Sequence, residues 1–386
     1  MAIPIGTSQK IPPALLLKEP GLQVVRLSGT PPELGFAHGR WLAREICQIR
    51  CSILKYLAKI TGWLGGLPLY LGLVVLAWRF RPFIPGPYWK EMKGVAAGAR
   101  VGVHFILLLN VFDDLAQNMP HCSAVAGRGR CNQTGAWLLA RNLDYAVFTE
   151  VMTRLQTVFL LHPVRGVPLV SVAWPGFVGL YTGMNQNQVA LAQLSTMTVD
   201  RTLRGCPAGI RNRQALQQGR SLPEVAGLIT ASTRTSGNNL VLCSPTEAQV
   251  LEVSARHWQA RQAAQGLIIA TNHYHSATMQ PLQGRFPPRP PFSPLSPRHF
   301  TEAYSHSRYR RLQELAAGGL NIPKARTLLA DPEVANPGTV SSVIFQPPDL
   351  AMWLAQSLQT PVATGGWRRL ARLFADNGPD IELMPG

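Results

Sequence analysis

The chain has 386 residues, a length that allows one large domain or two of modest size. Hydrophobic residues make up 46% of it and charged residues only 15%, so a packed core is expected and global disorder is not. The net charge of +17 would attract polyanions, but the basic residues are scattered and follow no nucleic-acid-binding motif, so no nucleic acid is expected as a partner.

The first third of the chain is predicted to be mostly helical. A strand-like run at residues 22–27 leads through a Gly-Thr-Pro-Pro turn into a helical pattern over residues 33–60. After a proline-rich break, two more helical patterns follow at residues 88–99 and 105–115. The N-terminal residues lack a basic segment followed by an apolar one, so no secretory signal is predicted and we expect a cytoplasmic protein.

An uncharged stretch of 19 residues, 60–78, interrupts these helical patterns. Its length can span a bilayer, and Trp63, Tyr70 and Trp78 with the following Arg79 suit a membrane interface. The stretch is interrupted by Gly65, Gly66, Pro68 and Gly72. Three interpretations stay open: a span, a segment lying in the membrane interface, and a buried or oligomer-contact helix. Peripheral membrane contact through residues 60–78 is therefore one candidate interaction, and the oligomeric state stays undecided.

From residue 122 onward the pattern changes to short apolar runs separated by Gly, Pro and Asn turns, which is typical of β-strands. Helical patterns appear at residues 209–234 and 301–330, and the proline-rich segment 281–300 is predicted to be an irregular loop. The runs SSVIFQ and LAMWLA are predicted as the last strand pair. Strands flanked by helices at both ends predict layered packing of helices and sheets.

The cysteines are not arranged as a disulfide framework or a zinc site, because none forms a CxxC or zinc-ribbon pair. The six are Cys47, Cys51, Cys122, Cys131, Cys206 and Cys243. His121, His273 and His275 have no third ligand at helical spacing, so no metal site is predicted.

Cys122 differs from the other cysteines in its context. It follows a polar break, begins the first β-run, and is followed 19 residues later by Arg141 and then Asp144, which a predicted hairpin returns beside it. Asn272 ends a later apolar run, and Arg308 lies in a helical pattern. Taken singly, these residues have ordinary interpretations as a salt bridge, a strand end and a solvated helix face.

Five segments in this order resemble the choloylglycine hydrolase, acid-ceramidase-like and penicillin acyltransferase group of N-terminal-nucleophile (Ntn) hydrolases. The acyltransferase-type branch, peptidase family C45, is the most similar. The segments are HCSAVAG, ARNLDY, GMNQNQVALAQ, IIATNHYHS and SHSRYRRL. Residues 27–40 and 89–102 look like the propeptide of that branch.

The resemblance implies an α+β fold, a four-layer αββα sandwich with a helical propeptide portion at residues 1–121 and a catalytic portion at residues 122–386. It implies a zymogen that cuts itself between His121 and Cys122, with the two fragments staying together. Cys122 would be the nucleophile, exposed as a new N-terminus.

The resemblance also implies roles for the residues around this cysteine. Arg141 and Asp144 would flank it, with the carboxylate oriented towards the thiol and the new amine. Asn272 would donate to the oxyanion, and Arg308 would hold the polar cluster or the substrate.

Two further positions, Asn185 and Ser195, are predicted to lie near the substrate and the oxyanion. Ser195 stands where the bile-salt hydrolase branch has an asparagine. Residues 185–189 read Asn-Gln-Asn-Gln-Val where the family usually has Asn-Glu-x-Gly-Leu. The lost glycine predicts that Asn187 takes any left-handed conformation in this turn.

The chemistry of such a site follows from the two groups on one residue. A thiol with a pKa near ~8.5 needs a base to become a thiolate. A free α-amino group, with a pKa of roughly 7.7–8.0, is partly neutral at pH 7 and can take that proton. Arg141 would favour the thiolate, and the oxyanion would need fixed donors such as Asn272.

We therefore expect an enzyme without cofactors that acts on linear amide bonds other than peptide bonds, through a thioester on Cys122. Water as acceptor gives hydrolysis of an N-acyl amide, and an amine gives acyl transfer. The apolar stretch and the basic balance favour lipid-like acyl groups. The alternative is a catalytically inactive, membrane-associated protein on an Ntn scaffold.

Overall fold

The computed structural model describes residues 13–116, 121–129 and 135–384. Its helices are α1 (Pro31–Trp41), α2 (Ala43–Thr61), α3 (Trp63–Trp78), α4 (Gly86–Ala99), α5 (Val103–Ala116), α6 (Thr149–Arg154), α7 (Ala208–Gln218), α8 (Leu222–Ala231), α9 (Glu302–Ala316) and α10 (Ile322–Ala330). Its strands are β1 (Ala14–Glu19), β2 (Leu22–Gly29), β3 (Ser123–Arg128), β4 (Trp137–Asp144), β5 (Thr157–Pro163), β6 (Leu169–Ala173), β7 (Thr182–Asn185), β8 (Ala190–Ser195), β9 (Asn238–Cys243), β10 (Ala248–Val253), β11 (Trp258–Gln262), β12 (Leu267–Ala270), β13 (Thr339–Gln346), β14 (Ala351–Gln356), β15 (Gly366–Ala371) and β16 (Asp380–Met384).

The strands form two sheets that pack face to face. The first has the order β1-β2-β5-β6-β7-β8-β9-β10-β11, and the second has the order β12-β3-β4-β13-β14-β15-β16. Helices α1, α7 and α8 contact the first sheet, and α9 and α10 contact the second. This helix–sheet–sheet–helix order confirms the predicted α+β class and the four layers.

Side chains along the central strands of the second sheet point alternately to its two faces, and so they pack into two cores. In β3, Ala124 and Ala126 face the other sheet, whereas Val125 packs with Leu312 and Leu328 of the covering helices. Because both faces of this sheet are covered, its central strands have apolar side chains on both sides and few polar ones. The polar side chains at these strands' ends are therefore exceptions that need a partner or a function.

The N-terminal part of the chain is not a separate layer. Strand β2 runs parallel to β5 within the first sheet, while α2 to α5 share a core of their own with residues such as Ile46, Met92 and Phe105. Close packing of α1 on α4 uses glycine: a side chain at Gly35 would meet the carbonyl oxygen of Glu91 at 1.9 Å. The predicted boundary between the portions 1–121 and 122–386 is a cleavage site and not a boundary between layers of the fold. It stays a prediction.

Several element boundaries differ from the predictions. The helix predicted over residues 33–60 is two helices, because Leu42 leaves helical geometry with φ −117° and ψ 23°. Residues 209–234 also hold two helices, separated by an extended Gly219. The prediction that SSVIFQ and LAMWLA are the last strands was wrong: β15 and β16 follow them. Two adjacent arginines in β15, Arg368 and Arg369, hid its alternation, and both lie part-buried.

The apolar stretch forms α3, which starts after Gly62 ends α2 in a left-handed conformation with φ 76°. Tyr70, Val74 and Ala77 face inward, into the core that α3 shares with α2 and α5. By length and composition, the segment Leu64–Phe83 is long and apolar enough to cross a membrane, and 22% of it is buried. The loop predicted over 281–300 is irregular apart from two short 3-10 turns.

Candidate functional site

Cys122 immediately precedes β3, the middle one of three neighbouring strands. β3 pairs with β4 on one side and with β12 on the other, in antiparallel register. When these registers are extended past the N-terminal end of β3 to Cys122, they bring residues 141–144 to one side of Cys122 and Asn272 to the other. Three segments that are far apart in sequence therefore meet at one end of the second sheet.

The guanidinium of Arg141 lies beside the thiol, between the two sheets. Its Nη2 is 3.6 Å from Sγ of Cys122. The same side chain donates to the main-chain oxygens of Tyr181 at 3.0 Å and Gln193 at 2.6 Å on the opposite sheet. Burial raises the pKa of the Cys122 thiol, and the positive charge of Arg141 acts against that rise. The arginine thus joins the two sheets and favours a thiolate at this position.

Asp144 ends β4 and is almost fully buried at 1% exposure. Asn336 donates to its Oδ2 at 2.6 Å, whereas its Oδ1 has no hydrogen-bond partner among the described residues. Burial raises the pKa of Asp144 to about 6, although Arg308 lowers it. Its backbone N–H also donates a hydrogen bond to the Cys122 thiol. A carboxyl with this pKa, next to a thiol, can exchange protons near neutral pH.

Arg308 holds the backbone on both sides of the peptide bond that precedes Cys122. It extends from α9, whose N-terminus is capped by the Thr301 side chain, and it is fully buried. Its Nη1 donates to the carbonyl oxygen of His121 at 2.5 Å and to that of Cys122 at 2.6 Å. The same nitrogen lies 2.9 Å from Oγ of Ser123. A buried cation therefore polarises the carbonyl group of the predicted cleavage bond.

Asn272 connects Arg308 to the first sheet. Its Oδ1 accepts from Nη2 of Arg308 at 2.9 Å, and its Nδ2 donates to the main-chain oxygen of Ser195 at 2.7 Å. An amide nitrogen has two hydrogens, so one N–H of Asn272 is left for another acceptor. Ser195 itself lines the cavity at Cys122.

Asn185 lies outside this cluster. Its Nδ2 donates to the carbonyl oxygens of Leu216 and Gly219, both at 2.9 Å, and its Oδ1 accepts from the backbone of Val189. With these partners the side chain ties the β7–β8 turn to the end of α7, and its predicted place near the substrate stays a prediction. The prediction for Asn187 was wrong, because Gln188 takes the left-handed conformation, with φ 64°.

A small cavity of about 20 Å³ borders the thiol, enough for roughly one water molecule. Cys122, Arg141 and Asp144 line it together with residues that the sequence analysis missed. These are Asp113, Tyr145, Tyr181 and Gln193.

Asp113 is the most informative of the missed residues, because it comes from α5 in the N-terminal part. The hydroxyl of Tyr145 donates to its carboxylate at 2.8 and 2.9 Å, and burial raises its pKa to about 6. The sequence did contain a signal for it. Asp113 and Asp114 are adjacent acids in a mostly apolar helix, and burying a carboxylate costs free energy unless it has a partner. Their side chains point in different directions, and Asp114 accepts from the backbone of Ala208 instead.

A larger apolar pocket of about 90 Å³ adjoins the small cavity. Asp113, Tyr145 and Tyr181 line both, so they form the boundary between the thiol and the apolar space. The rest of the pocket wall is almost entirely hydrophobic and comes from α2, α5, α6 and the segment after β6. Its members are Ile49, Ser52, Ile53, Leu109, Phe112, Phe148, Val151, Met152, Trp174, Pro175 and Phe177.

Taken together, the arrangement can perform acyl chemistry. It has a buried thiol beside a cation, a carboxyl with a pKa near neutrality, and N–H donors aimed at carbonyl oxygens. Among the residues that the structure describes, no group of three His, Cys, Asp or Glu is arranged to hold a metal ion.

Sequence relatives of this chain are distant and longer. Protein dcd1A of Dictyostelium discoideum is 25% identical over 240 residues, which are 55% of this chain and 54% of that protein. An uncharacterized protein of Archaeoglobus fulgidus is 24% identical over 243 residues, covering 55% of this chain and 40% of its own length. The chain thus spans about half, or less, of the length of these relatives.

Two solved structures are similar to this one at low TM-scores. The N-acylethanolamine-hydrolyzing acid amidase ortholog of Caenorhabditis elegans has a TM-score of 0.44 and 16% identity, over 59% of this chain and 95% of that one. A mutant of the conjugated bile acid hydrolase from Clostridium perfringens has a TM-score of 0.43 and 11% identity, over 69% and 97% of the two chains.

The chain also matches a protein-family model. The family model described as acyl-coenzyme A:6-aminopenicillanic acid acyl-transferase matches residues 131–341, more than half of the chain. The match contains Arg141, Asp144, Asn272 and Arg308 and begins after Cys122. This chain belongs to the acyl-coenzyme A:6-aminopenicillanic acid acyl-transferase family.

Proposed function

We propose that the chain is a cysteine Ntn enzyme of the peptidase C45 type, which cuts itself before Cys122 and then acts on linear N-acyl amides. The proposal rests on one observation above all. Arg308 donates to the carbonyl oxygen of His121 at 2.5 Å, while Arg141 lies 3.6 Å from the sulfur of the next residue. The predicted cleavage bond thus has a cation at its oxygen and another at its attacking group.

Self-cleavage would proceed by attack of the Cys122 sulfur on the carbonyl carbon of His121. Negative charge would develop on the oxygen that Arg308 holds, and the carbon–nitrogen bond would break to leave a thioester and a free amine on Cys122. Water would then hydrolyse the thioester. In the uncut chain the nitrogen of Cys122 is an amide and cannot act as a base, so Asp144 Oδ1 is the proposed proton acceptor. The same proton would pass to the leaving nitrogen as the carbon–nitrogen bond breaks.

The same site would then accept an external amide. The new α-amino group takes the proton of the thiol, and the substrate carbonyl occupies the position that the His121 carbonyl has left. Its oxyanion would be held by Arg308 and by the remaining N–H of Asn272, both fixed before the reaction begins. Asp144 would orient the amine, and Ser195 would line the path of the leaving group.

The apolar pocket beside the thiol supports an apolar acyl group as the substrate's acyl half. Its hydrophobic wall can bind an alkyl or aryl chain, while Asp113 and the two tyrosines mark the polar end next to the reacting carbon. Because the pocket is formed partly by α2 and α5, the N-terminal fragment has to stay bound after cleavage.

The direct test of the proposed reaction is incubation of purified protein with N-acyl amides, with and without a competing amine. Release of free acid supports hydrolysis, and a new amide supports acyl transfer through the same thioester. Edman sequencing should find a fragment that begins Cys-Ser-Ala-Val. Intact chain only, with no acyl group on Cys122, would instead favour the inactive, membrane-associated protein.

Self-cleavage is expected to depend on the ionisation of Asp144. Burial raises the pKa of this carboxyl from its usual 3.8 to about 6, so it is mostly protonated at pH 5 and mostly ionised at pH 7. A carboxylate that accepts the thiol proton should therefore make the cleavage rate rise about tenfold across this interval. The measurement is a pH jump of precursor prepared at low pH, followed on denaturing gels.

Two variants make this pH test specific. Asp144→Asn should cleave at least about a hundredfold more slowly and show no rise near pH 6, because an amide cannot accept the proton. Asp113→Asn should keep the rise, since Asp113 also has a pKa near 6 but its two carboxylate oxygens accept from the Tyr145 hydroxyl. A rise that persists in Asp144→Asn would rule out Asp144 as the acceptor.

Filling the apolar pocket should change the preferred acyl group. Val151→Trp places an indole in the pocket, so kcat/KM for long acyl chains is expected to fall about tenfold or more while that for acetyl amides is retained. Glu150→Trp is the matched control, since this neighbouring side chain is 82% exposed. Equal losses for short and long chains would contradict the assignment of the pocket to the acyl group.

A further inference from the structure

Helix α3 is apolar on two opposite faces, and the described residues 13–116, 121–129 and 135–384 cover only one of them. The inner face carries Tyr70, Val74 and Ala77, all buried. The outer face carries Leu64 at 88% exposure, Leu67 at 62%, Leu71 at 53%, Val75 at 67%, Leu76 at 40% and Trp78 at 42%. At roughly 100° per residue, all of these side chains except Leu76 fall within an arc of about 80° and form one continuous stripe, with Leu76 to one side of it. Single exposed apolar residues are common on proteins, whereas a contiguous stripe of this kind marks a contact site.

The charged residues that flank α3 in the sequence are all of one sign. Between residues 46 and 90 the sequence has no Asp or Glu and has six cations. They are Arg50, Lys55, Lys59, Arg79, Arg81 and Lys90. Lys and Arg near a bilayer each contribute about 1 kcal/mol of attraction to anionic lipid. A protein partner would need an apolar groove with an acidic rim. An anionic membrane offers an apolar interior beneath a negatively charged surface over any area.

Aromatic side chains stand at the ends of the helix, as expected at the boundary between lipid and water. At its C-terminal end, Trp78 contacts Trp89 edge-on at 5.6 Å, and Arg81 lies over the Trp89 ring at 4.5 Å. Near its N-terminal end, Lys59 lies 3.8 Å over the exposed ring of Phe292. Tryptophan and basic side chains with an apolar body and a polar tip suit the headgroup region.

We propose that the outer face of α3 docks the protein on an anionic membrane surface. The helix lies in the interface and does not cross the bilayer. The segment Leu64–Phe83 is long enough to cross, but α3 itself has 16 residues and is about 24 Å long, and its inner face packs along α2 and α5. A span would have to expose this packed inner face to lipid. Insertion of the stripe to a depth of about 5–10 Å is the geometry of an interfacial amphipathic helix.

Docking at α3 has a consequence for the substrate, and this step rests on the proposed function. α3 packs on α2 and α5, and these two helices supply Ile49, Ile53, Leu109 and Phe112 to the wall of the apolar pocket. A membrane at the outer face therefore lies one helix away from the acyl pocket. The chemical class of substrate that fits both features is an N-acyl amide dissolved in the bilayer.

The test is co-sedimentation of the purified full chain with vesicles of phosphatidylcholine, with and without phosphatidylglycerol. Wild type should pellet with the anionic vesicles and be released at high salt, since screening weakens surface attraction. Leu71→Glu/Val75→Glu should lower the partition coefficient about tenfold or more, because both changes place charge in the apolar stripe. The matched control, Val199→Glu/Leu358→Glu, changes two equally exposed apolar residues elsewhere and should bind as wild type does.

Each other outcome overturns the proposal. Wild type that stays in solution with anionic vesicles, or a double variant that pellets like wild type, excludes docking through α3. A lipid-free dimer that the double variant dissociates, without vesicle binding, makes the face a contact between two copies. Wild type that resists an alkaline carbonate wash is a spanning protein.

A turnover measurement separates this inference from the proposed function. The Leu71→Glu/Val75→Glu variant should lose kcat/KM about tenfold on a vesicle-embedded N-acyl amide and keep it on a short, water-soluble one. Loss on both substrates would place α3 in the active structure and overturn the docking role. Vesicle binding by a protein inactive on both substrates would refute the proposed function and leave the docking inference standing.

Discussion

The Cys122→Ala variant is expected to remain a single chain of 42.2 kDa, whereas wild type separates on a denaturing gel into fragments of about 13 and 29 kDa. Without the sulfur, nothing in the site can attack the His121 carbonyl, however well Arg308 polarises it. Amide turnover should fall by about 10⁴-fold or more, to the assay background, because nucleophile and base are lost together.

Two controls keep this result specific. Cys51→Ala removes an exposed thiol that does not line the cavity at Cys122 and should cleave as wild type does. It also removes one thiol that an acyl probe would label without selectivity, which makes labelling of Cys122 easier to read. Fragments of the wild-type sizes from Cys122→Ala would show that the scissile bond or the nucleophile lies elsewhere, and the proposed mechanism would fail.

The second large effect is expected at Arg308. Arg308→Lys keeps the charge but loses the planar arrangement that lets one side chain reach His121, Cys122, Ser123 and Asn272 together. Losing one preorganised oxyanion donor typically costs about 10²–10³ in rate. Self-cleavage and amide turnover should both fall by this amount, as measured by time courses of fragment formation and of acid release.

Stability should fall as well, because buried acceptors are left without a donor at about 1–3 kcal/mol each. Urea unfolding of Arg308→Lys in the Cys122→Ala background measures this loss without cleavage interfering. Arg310→Lys, two residues on and exposed, is the control and should change neither rate nor stability. A normal cleavage rate in a folded Arg308→Lys protein would show that its contact with His121 is structural only.

The cavity residues that the sequence analysis did not predict show the limit of local sequence patterns. Asp113 belongs to a helix whose periodicity indicated only burial, and nothing in its neighbourhood points to Tyr145 or Tyr181. Its partner lies 32 residues away and becomes adjacent only when α5 packs against the end of β4. Asn185 shows the same limit. Its segment resembles the family motif only in part, and nothing in it indicates that the amide nitrogen donates to the carbonyl oxygens of Leu216 and Gly219.

The sequence by itself determined the α+β class, the central strands, and the grouping of Cys122, Arg141, Asp144, Asn272 and Arg308. Strand periodicity and the order of motifs are local properties, and a polar residue at the end of a buried strand needs a reason to be there. Only the tertiary structure decided which side chains share a cavity, that α3 leaves one apolar face uncovered, and that Arg308 reaches the His121 carbonyl. These facts depend on how sheets and helices pack, and packing joins residues across distances that no sequence window contains.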